Sequence, residues 1–398
     1  MKKFNVNSTI AVVGSGAMGT GIAQVAATAG HKVLIFDKNK QSMDKSAASL
    51  KRVLARLVEK QRISNSTADG ILDRITFCHN IEDLSAASLI IEAIVENLEI
   101  KKNLFGHLEL MVDDDAILAT NTSSLSIASI AAACTKPERV IGIHFFNPAP
   151  LMPLVEIIPA VQTSGSTLVE ARNLIDSWGK TTVTAKDTPG FIVNRVARPF
   201  YGEALRILEE GIADVPTIDW AVKEIGNFRM GPFELMDYIG NDVNYAVTET
   251  VFKEFYYDPR YRPAFTQKRM VEAGWLGQKT GRGYYDYSDE ADNPTPTQDR
   301  ELGGRIVNRL LLMLINEAAD ALYLNISTRD GIDLAMTKGV NYPKGLLKWA
   351  DEIGIEKVLH QLEELQEFYG EDRYRPSALL KNMARDKACF YPEILMNN

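Results

Sequence analysis

The segment from Thr9 to Asp37 constrains the fold more than any other part of the chain. Residues 9–14 (TIAVVG) form an apolar, β-branched run, which is typical of a buried strand. The residues Gly14-Ser15-Gly16-Ala17-Met18-Gly19 then lead into a segment with helical apolar spacing, and HKVLIFD (31–37) predicts a second strand. This order of elements predicts the first βαβ unit of an open parallel sheet: a strand, a Gly-x-Gly-x-x-Gly turn, a helix and a second strand that ends in an acid.

This unit has the chemistry of a dinucleotide site. Gly14 allows the tight turn, Gly16 lets the backbone approach a pyrophosphate, and Gly19 allows close packing of the helix. The start of the helix supplies N–H groups and a positive dipole end to the phosphates. Asp37 is predicted to accept hydrogen bonds from the ribose hydroxyls and to repel a 2′-phosphate, which favours NAD over NADP although Lys38 and Lys40 follow it.

Composition excludes several classes of protein. The 398 residues predict two or three domains, and the net charge of −8 with a pI near 5.4 argues against a nucleic-acid partner or an anionic membrane surface. Cys78, Cys134 and Cys389 are odd in number and far apart, so we predict no disulfide framework, no metal site and a reducing cytoplasm. No apolar run approaches ~20 residues, so no transmembrane helix is expected. The first predicted strand begins at residue 9, which leaves no room for a signal peptide.

Residues 140–158 (VIGIHFFNPAPLMPLVEII) contain a histidine and a carboxylate in apolar surroundings. His144 lies in a predicted buried strand, and Glu156 lies in a second apolar run. A carboxylate against an imidazole fixes its tautomer and favours its protonated form, which is the arrangement of a general base with an orienting group. The alternative is a hydrogen-bonded core histidine with an unrelated glutamate.

Glu96 and Ser123 also follow apolar strand-like runs. LIIEAIVE (89–96) predicts a strand before Glu96, and Ile117–Ala119 predicts a short strand before Asn121-Thr122-Ser123-Ser124. Because open α/β sheets bind ligands at the carboxyl ends of their strands, both residues can converge with His144 on one crevice. Ser123 could equally cap a helix beginning near Ser126.

A helix predicted over residues 42–61 carries a row of basic side chains. Arg52, Arg56 and Lys60 recur every four residues, on a different face from the apolar stripe. This row is either a solvated helix face or a site for a polyanionic substrate handle such as a nucleotide diphosphate.

The second half of the chain contains an internal repeat of helical sequence. Residues 192–240 align with 306–354 at a constant offset and share 16 identities, including Val193-Asn194-Arg195 with Val307-Asn308-Arg309. We define copy one as residues 188–290 and copy two as residues 291–398, following a first domain of residues 1–187. Copy one ends in GQKTGRGYY (277–285), for which copy two shows no counterpart in sequence.

The chain closely resembles the 3-hydroxyacyl-CoA dehydrogenase family. The motifs that carry the resemblance are VVGSGAMGTGIAQ, EAIVENLEIK, ATNTSSLSI, GIHFFNPAPLMPLVEII, DTPGFIVNR, MGPFELMDYIG and GWLGQKTGRGYYDY, in the order of that family. The resemblance implies a Rossmann-like α/β NAD-binding domain followed by two tandem all-α domains. It also implies NAD-dependent oxidation of (S)-3-hydroxyacyl-CoA to 3-oxoacyl-CoA in fatty-acid metabolism.

The resemblance implies roles for individual residues. His144 would take the proton from the 3-hydroxyl, Glu156 would hold His144, and Ser123 and Asn194 would bond the reacting substrate oxygens. Residues near the nicotinamide half of NAD would be Ala93, Glu96, Lys101 and Lys279. Residues near the substrate would be Asn147 and the basic row Arg52, Arg56 and Lys60, which would meet the CoA phosphates.

One observation within the sequence cuts against a catalytic Asn194. Copy two keeps Asn308-Arg309 although it has no nucleotide-binding domain, so these residues could serve helix packing in both copies. We expect the two copies to form an intramolecular pseudo-dimer, with a homodimer through other surfaces left open. Other functions consistent with the same scaffold are dehydrogenation of a hydroxy-acid sugar such as L-gulonate and an NAD-binding structural protein like the lens crystallins of this lineage.

Overall fold

The computed structural model describes residues 4–392 and divides the chain into two compact units, residues 1–191 and 192–398. The first unit is an α/β domain and the second is helical, apart from isolated bridges near Arg282. No helix of the described residues is long and apolar enough to cross a membrane.

The first unit is built on one eight-stranded sheet with the order β3-β2-β1-β4-β5-β6-β7-β8. Its strands are β1 (Ile10–Val13), β2 (Val33–Phe36), β3 (Ile75–Cys78), β4 (Leu89–Glu92), β5 (Ile117–Thr120), β6 (Val140–Phe145), β7 (Leu154–Pro159) and β8 (Thr181–Thr184). The strands β1 to β6 pair in parallel, β7 is antiparallel to β6, and β8 is parallel to β7. The order reverses between β1 and β4, which is the point where sheets of this kind bind ligands.

Helices cover this sheet and bury its apolar strands. They are α1 (Ala17–Thr28), α2 (Lys40–Glu59), α3 (Asn65–Asp73), α4 (Leu98–Glu109), α5 (Ile127–Ala131) and α6 (Gly165–Ser177). Asn39 caps α2 by accepting hydrogen bonds from Gln41 N and Ser42 N, and Leu50 and Leu54 of that helix are buried in the core. The predicted helix over 42–61 therefore exists but begins two residues earlier, where the cap fixes its start. The helix α3 was not predicted from sequence.

The second unit is a set of packed helices. They are α7 (Val193–Val196), α8 (Arg198–Glu209), α9 (Val215–Glu224), α10 (Pro232–Ile239), α11 (Asn241–Glu254), α12 (Phe265–Glu272), α13 (Arg300–Tyr323), α14 (Arg329–Gly339), α15 (Leu346–Ile353), α16 (Ile355–Tyr369) and α17 (Ala378–Arg385). Helix α13 from copy two packs against α8 and α9 from copy one, so the two copies share one core.

Equivalent aspartates cap equivalent helices in the two copies. Asp219 accepts hydrogen bonds from the backbone of Phe233 and Glu234 at 3.0 and 2.9 Å, at the start of α10. In copy two, Asp333 accepts from Leu347 N and Lys348 N at 2.8 and 3.0 Å, at the start of α15. The repeated caps fix the same turn at both places.

The prediction that copy two lacks the tail of copy one is wrong for its aromatic end. Tyr285 donates its backbone N–H to Asp237 and its hydroxyl to Asp219, at 2.9 and 2.8 Å. Tyr391 makes the same two contacts, with Asp351 and Asp333, at 2.7 and 3.0 Å. The sequence spacing hid this counterpart because the loop before Tyr285 is longer than the segment before Tyr391.

Two buried clusters of charged residues connect the copies, and in each cluster the carboxylate comes from one copy and the arginines come from the other. Glu317 of copy two accepts hydrogen bonds from Arg195 Nε at 2.6 Å, from Tyr261 OH at 2.5 Å and from Arg260 Nη1 at 3.3 Å. Although burial opposes ionisation, the two guanidinium groups hold the pKa of Glu317 below its usual value.

The reciprocal cluster is centred on Glu203 of copy one. It accepts hydrogen bonds from Arg309 Nε and Tyr374 OH, both at 2.9 Å, and Arg373 Nε lies 3.7 Å away. Each copy therefore provides the carboxylate of one cluster and the cations of the other. Arg195 and Arg309, which follow the paired asparagines, serve packing between the copies.

Candidate active site

The glycine loop leaves no room for larger side chains at Gly14 and Gly19, and it is open at Gly16. Gly14 has a φ of +108°, and a Cβ there would lie 2.5 Å from Ala93 O at the end of β4. A Cβ at Gly19 would lie 1.9 Å from Gly14 O, so Gly19 lets α1 close onto the loop itself. A Cβ at Gly16 would meet nothing within 4 Å, so this position, before the first turn of α1, is open to a ligand. These features fit a bound pyrophosphate.

Asp37 is held by the same loop. Its Oδ2 atom accepts hydrogen bonds from Ser15 N at 2.8 Å and Ser15 Oγ at 2.9 Å, and its Oδ1 atom accepts from Asn39 N at 2.9 Å. The carboxylate is thereby fixed at the end of β2, and Oδ1, which accepts one hydrogen bond, keeps further acceptor capacity. This arrangement fits the ribose hydroxyls of NAD.

His144 and Glu156 face each other across the one antiparallel pair of the sheet. They are direct partners in the β6–β7 register, and His144 Nδ1 lies 2.7 Å from Glu156 Oε2. Glu156 is fully buried and His144 is 6% exposed, so water hardly screens the pair. The register places side chains twelve residues apart on the same face of the sheet.

The second ring nitrogen of His144 is left for a reacting group. His144 Nε2 makes no hydrogen bond to residues 4–392, while Nδ1 is bonded to the carboxylate. The rings of Phe146 and Phe191 lie 4.5 and 5.9 Å from the imidazole and limit its rotation. A neutral imidazole bonded through Nδ1–H would present Nε2 as a proton acceptor.

A hydrogen-bonded network beyond the ends of β4 and β5 brings several predicted residues together. Glu96 accepts hydrogen bonds from Thr122 Oγ1, Ser123 N and Ser124 Oγ at 2.6, 3.1 and 3.0 Å. Lys101 Nζ lies 3.4 Å from Glu96. Although burial opposes ionisation, Lys101 and these hydrogen bonds hold the pKa of Glu96 below its usual value. Glu96, Lys101 and Ser123 thus form one cluster.

Glu92 is a residue of this network that the sequence analysis missed. It is fully buried at the end of β4 and accepts hydrogen bonds from Lys101 Nζ at 2.5 Å and Thr120 Oγ1 at 2.7 Å. Its place as the first acid after the run LII, in EAIVENLEIK, was the signal that could have revealed it. It anchors the Lys101 ammonium, which is itself 1% exposed.

Ser123 does not cap the helix that follows it. Ser126 is the N-cap of α5, because its side chain accepts from Ser129 N, and Asp187 accepts from Ile127 N and Ala128 N at 3.0 and 2.8 Å. The alternative role considered for Ser123 is therefore wrong. The backbone N–H of Ser123 donates to Glu96, so Ser123 lies in the turn that Glu96 organises.

Asn147 lies in the loop that joins the His144 strand to the Glu156 strand. It is exposed, and it precedes a cis peptide bond to Pro148. A second residue missed from sequence, Asn121, supports this region, since its Oδ1 accepts a hydrogen bond from Phe145 N at 2.8 Å. The end of β5 is thereby tied to the residue after His144.

The basic row lies on an exposed face of α2. Arg52 and Arg56 are exposed in that helix, and Lys60 follows its last residue. Within residues 4–392, none of the three forms an ion pair with a carboxylate. These side chains are available to an anionic ligand.

Two predicted site residues belong to the second unit. Asn194 lies in α7, where its backbone carbonyl accepts from Arg198 Nε at 2.9 Å. Lys279 Nζ donates to both carboxylate oxygens of Asp242, at 2.5 and 2.7 Å. No group of three His, Cys, Asp or Glu side chains in residues 4–392 is arranged to hold a metal ion.

Comparisons with known proteins match both units to one family. The family model for the NAD binding domain of 3-hydroxyacyl-CoA dehydrogenase matches residues 9–188. The model for the C-terminal domain of the same family matches residues 190–287 and 304–389.

Individual relatives agree with these matches. The 3-hydroxyadipyl-CoA dehydrogenase of Escherichia coli is 37% identical over 94% of this chain and 97% of its own. The 3-hydroxybutyryl-CoA dehydrogenase of Clostridioides difficile is 43% identical over 70% of this chain and 99% of its own. A crystal structure of 3-hydroxybutyryl-CoA dehydrogenase from Escherichia coli superposes with a TM-score of 0.90 at 36% identity, covering 96% of this chain and 99% of that one.

Proposed function

The chain belongs to the 3-hydroxyacyl-CoA dehydrogenase family, and from this premise we propose that it oxidises (S)-3-hydroxyacyl-CoA to 3-oxoacyl-CoA reversibly, with His144 as general base. The observation that carries the proposal is the buried hydrogen bond between His144 and Glu156 across β6 and β7. Oxidation of a secondary alcohol needs a base, a hydride acceptor and donors for the developing carbonyl oxygen. Bound NAD supplies the hydride acceptor.

Each side chain has a separate task in this proposal. His144 Nε2 takes the proton of the 3-hydroxyl, and Glu156 stabilises the imidazolium that forms through Nδ1. Ser123 and Asn194 donate hydrogen bonds to the substrate oxygens, and Asn147 contacts the substrate beside the base. Ala93, Glu96, Lys101 and Lys279 contact the nicotinamide half of NAD. The glycine loop, residues 14–19, and Asp37 hold the adenosine half.

We expect His144→Ala to lower turnover of 3-hydroxybutyryl-CoA by about 10²–10⁴, the usual contribution of a positioned base. NADH formation measures this effect. Because His144 is not assigned to NAD binding, the Kd of NAD, measured by fluorescence titration, should stay near the wild-type value. Near-normal turnover in a folded variant contradicts the assignment.

Glu156→Gln tests whether Glu156 acts on His144 through its negative charge. Removing the carboxylate charge disfavours the imidazolium, so the acidic limb of the pH–rate profile should move to lower pH and turnover should fall. A pH–rate profile that does not move argues that Glu156 only packs against the ring.

We also propose that Arg56 and Lys60, with Arg52, bind the phosphates of CoA. Their exposure and their lack of carboxylate partners in residues 4–392 support this role. Charge reversal at Arg56 and Lys60 should raise KM for an acyl-CoA much more than for an acyl-pantetheine, and added salt should weaken the difference. Equal changes for the two substrates would mean that this face of α2 is only solvated.

We further propose that residues 188–290 and 291–398 are tandem all-α domains that form an intramolecular pseudo-dimer after a domain of residues 1–187. The 16 identities, the paired aspartate caps and the exchanged clusters at Glu317 and Glu203 support it. A pseudo-twofold axis produces such self-complementary contacts. The proposal gives one active site and one NAD per chain, in a cytoplasmic enzyme of fatty-acid metabolism.

A further inference from the structure

Two carboxylates share one cation just beyond the buried part of β4. Lys101 Nζ donates a hydrogen bond to Glu92 Oε1 at 2.5 Å and lies 3.4 Å from Glu96 Oε2. Within residues 4–392, Lys101 is the one cation within ion-pair distance of either carboxylate. We call Glu92, Lys101 and Glu96 the charged triad. With both carboxylates ionised, the triad carries one negative charge in excess.

Hydrogen-bond donors surround both carboxylates and keep them ionised. Glu92 accepts from Lys101 Nζ and from Ile94 N at 2.7 Å through one oxygen, and from Thr120 Oγ1 at 2.7 Å through the other. Although burial opposes ionisation, Lys101 and three hydrogen bonds hold the pKa of Glu96 below its usual value. Glu92 is fully buried, whereas the side chain of Glu96 is 38% exposed. The excess charge therefore reaches the surface at Glu96.

The charged triad borders the place where the glycine loop begins. Glu92 is the register partner of Val13, the residue before Gly14, and Ala93 N donates to Val13 O at 2.8 Å. Gly14 approaches Ala93 so closely that a Cβ on Gly14 would lie 2.5 Å from Ala93 O. The strand order reverses between β1 and β4, and open α/β sheets bind ligands in the crevice at such a point. The excess charge therefore lies at the edge of the dinucleotide site.

The sheet does not need a charged side chain at the end of β4. Val13, at the same level of the neighbouring strand, is apolar and 3% exposed. Taking a carboxylate and an ammonium out of water is costly, and apolar residues of similar volume are often as stabilising or more so. The buried pair of Glu92 and Lys101 therefore indicates a functional task.

Two other lysines are already paired with carboxylates. Lys102 Nζ lies 3.2 Å from Glu99 Oε1, one turn or less along α4. Lys279, which the proposed function assigns to the nicotinamide half of NAD, donates to Asp242 at 2.5 Å. Neither pair adds a net charge, so the unbalanced charge is that of the charged triad.

We propose that Glu92 offsets the charge of Lys101, so that Glu96 keeps an unbalanced negative charge that strengthens the binding of NAD⁺ relative to NADH. The inference rests on the proposed function, which assigns Glu96 and Lys101 to the nicotinamide half. NAD⁺ and NADH differ in the nicotinamide ring, which is a cation in NAD⁺ and neutral in NADH. An excess negative charge attracts the cation and not the neutral ring. Glu92 is thus a positioning residue, because without it Lys101 would neutralise Glu96.

The test measures the Kd of NAD⁺ and the Kd of NADH by isothermal titration calorimetry, without substrate. Glu92→Gln keeps the shape of the side chain and removes its charge, so the ratio of the Kd for NAD⁺ to the Kd for NADH should rise about 10-fold. Glu96→Gln removes the same charge at the partly exposed end of the triad and should move this ratio in the same direction.

A second substitution can restore the charge. Adding Lys101→Met to Glu92→Gln also removes the positive charge, so that Glu96 alone remains and the triad again carries one negative charge. The ratio of the two Kd values in this double variant should return to within about 3-fold of the wild-type ratio, because the net charge is the same. A double variant whose ratio lies as far from the wild-type ratio as that of Glu92→Gln overturns the inference.

Two matched variants separate charge from packing. Thr120→Val removes the hydroxyl that donates to Glu92 but changes no charge, so it should leave the ratio of the two Kd values unchanged. Glu99→Gln removes a carboxylate that is 72% exposed on α4, where water screens it, and should also leave the ratio unchanged.

The possible results distinguish the inference from the proposed function. If Glu92→Gln and Glu96→Gln change the Kd of NAD⁺ and the Kd of NADH by equal factors, the inference is overturned while the proposed function stands. The same conclusion follows if Thr120→Val moves the ratio as far as Glu92→Gln does. A wild-type protein that binds neither NAD⁺ nor NADH overturns the proposed function and the inference with it.

Discussion

The two helical copies keep the same charged contacts but differ in their interiors. Glu203 and Glu317 occupy equivalent positions, and each is bonded to an arginine and a tyrosine of the other copy. Near Asn194, by contrast, copy one buries Arg198 where copy two buries Leu312. The shared contacts hold the copies together, while this difference lies beside Asn194, the residue to which the proposed function gives a task in copy one.

The largest expected effect comes from removing one of the equivalent carboxylates, which tests whether both clusters stabilise the helical unit. Glu317→Ala leaves Arg195 and Arg260 buried without their shared acceptor, and we expect a loss of about 3–5 kcal/mol in the free energy of unfolding. Glu203→Ala should cost a similar amount if the clusters are equivalent. Chemical denaturation measures both.

An exposed ion pair is the control for these variants. Lys253 and Glu249 lie 3.2 Å apart on the surface of α11, so Glu249→Ala should cost no more than about 0.5 kcal/mol. If Glu317→Ala costs no more than Glu249→Ala, the clusters do not stabilise the unit. A large cost at only one of Glu317 and Glu203 would show that the copies are not equivalent in packing.

Replacing the paired asparagines, Asn194 and Asn308, one at a time tests the difference between the copies through a smaller expected effect. Asn194→Ala should lower kcat/KM for 3-hydroxybutyryl-CoA by about 10², as when one donor to a developing oxyanion is removed. Asn308→Ala makes the same change in copy two and should leave kcat/KM unaltered. Similar losses in the two variants would assign both asparagines to packing, as their presence in both copies first suggested.

The βαβ unit could be predicted from sequence because its determinants are local. Turn, helix start and strand end lie within Thr9–Asp37, and the structure shows a separate steric reason for Gly14 and for Gly19. The repeat was also visible, because helices of equal length preserve a constant offset between identical residues. Both signals can be read from the order of residues along the chain, without knowing which residues touch in the folded protein.

The pairing of His144 with Glu156 could be suspected from sequence, but its geometry could not be predicted there. It depends on the register of β7 against β6, and that register follows from a loop containing Pro148, Pro150 and Pro153, whose conformation the sequence did not reveal. Glu92 was missed because a strand-ending acid looks like any other until its buried partner Lys101 is seen.

The exchanged clusters also set conditions on how the protein is made. Arg195 precedes Glu317 by 122 residues, and Arg260 precedes it by 57. At a synthesis rate of about 5–20 residues per second, roughly 6 to 24 seconds pass between the synthesis of Arg195 and that of its acceptor Glu317. During translation, the first helices of this unit therefore carry two arginines that must stay in water. Their burial, and with it the closure of the helical core, follows the synthesis of α13.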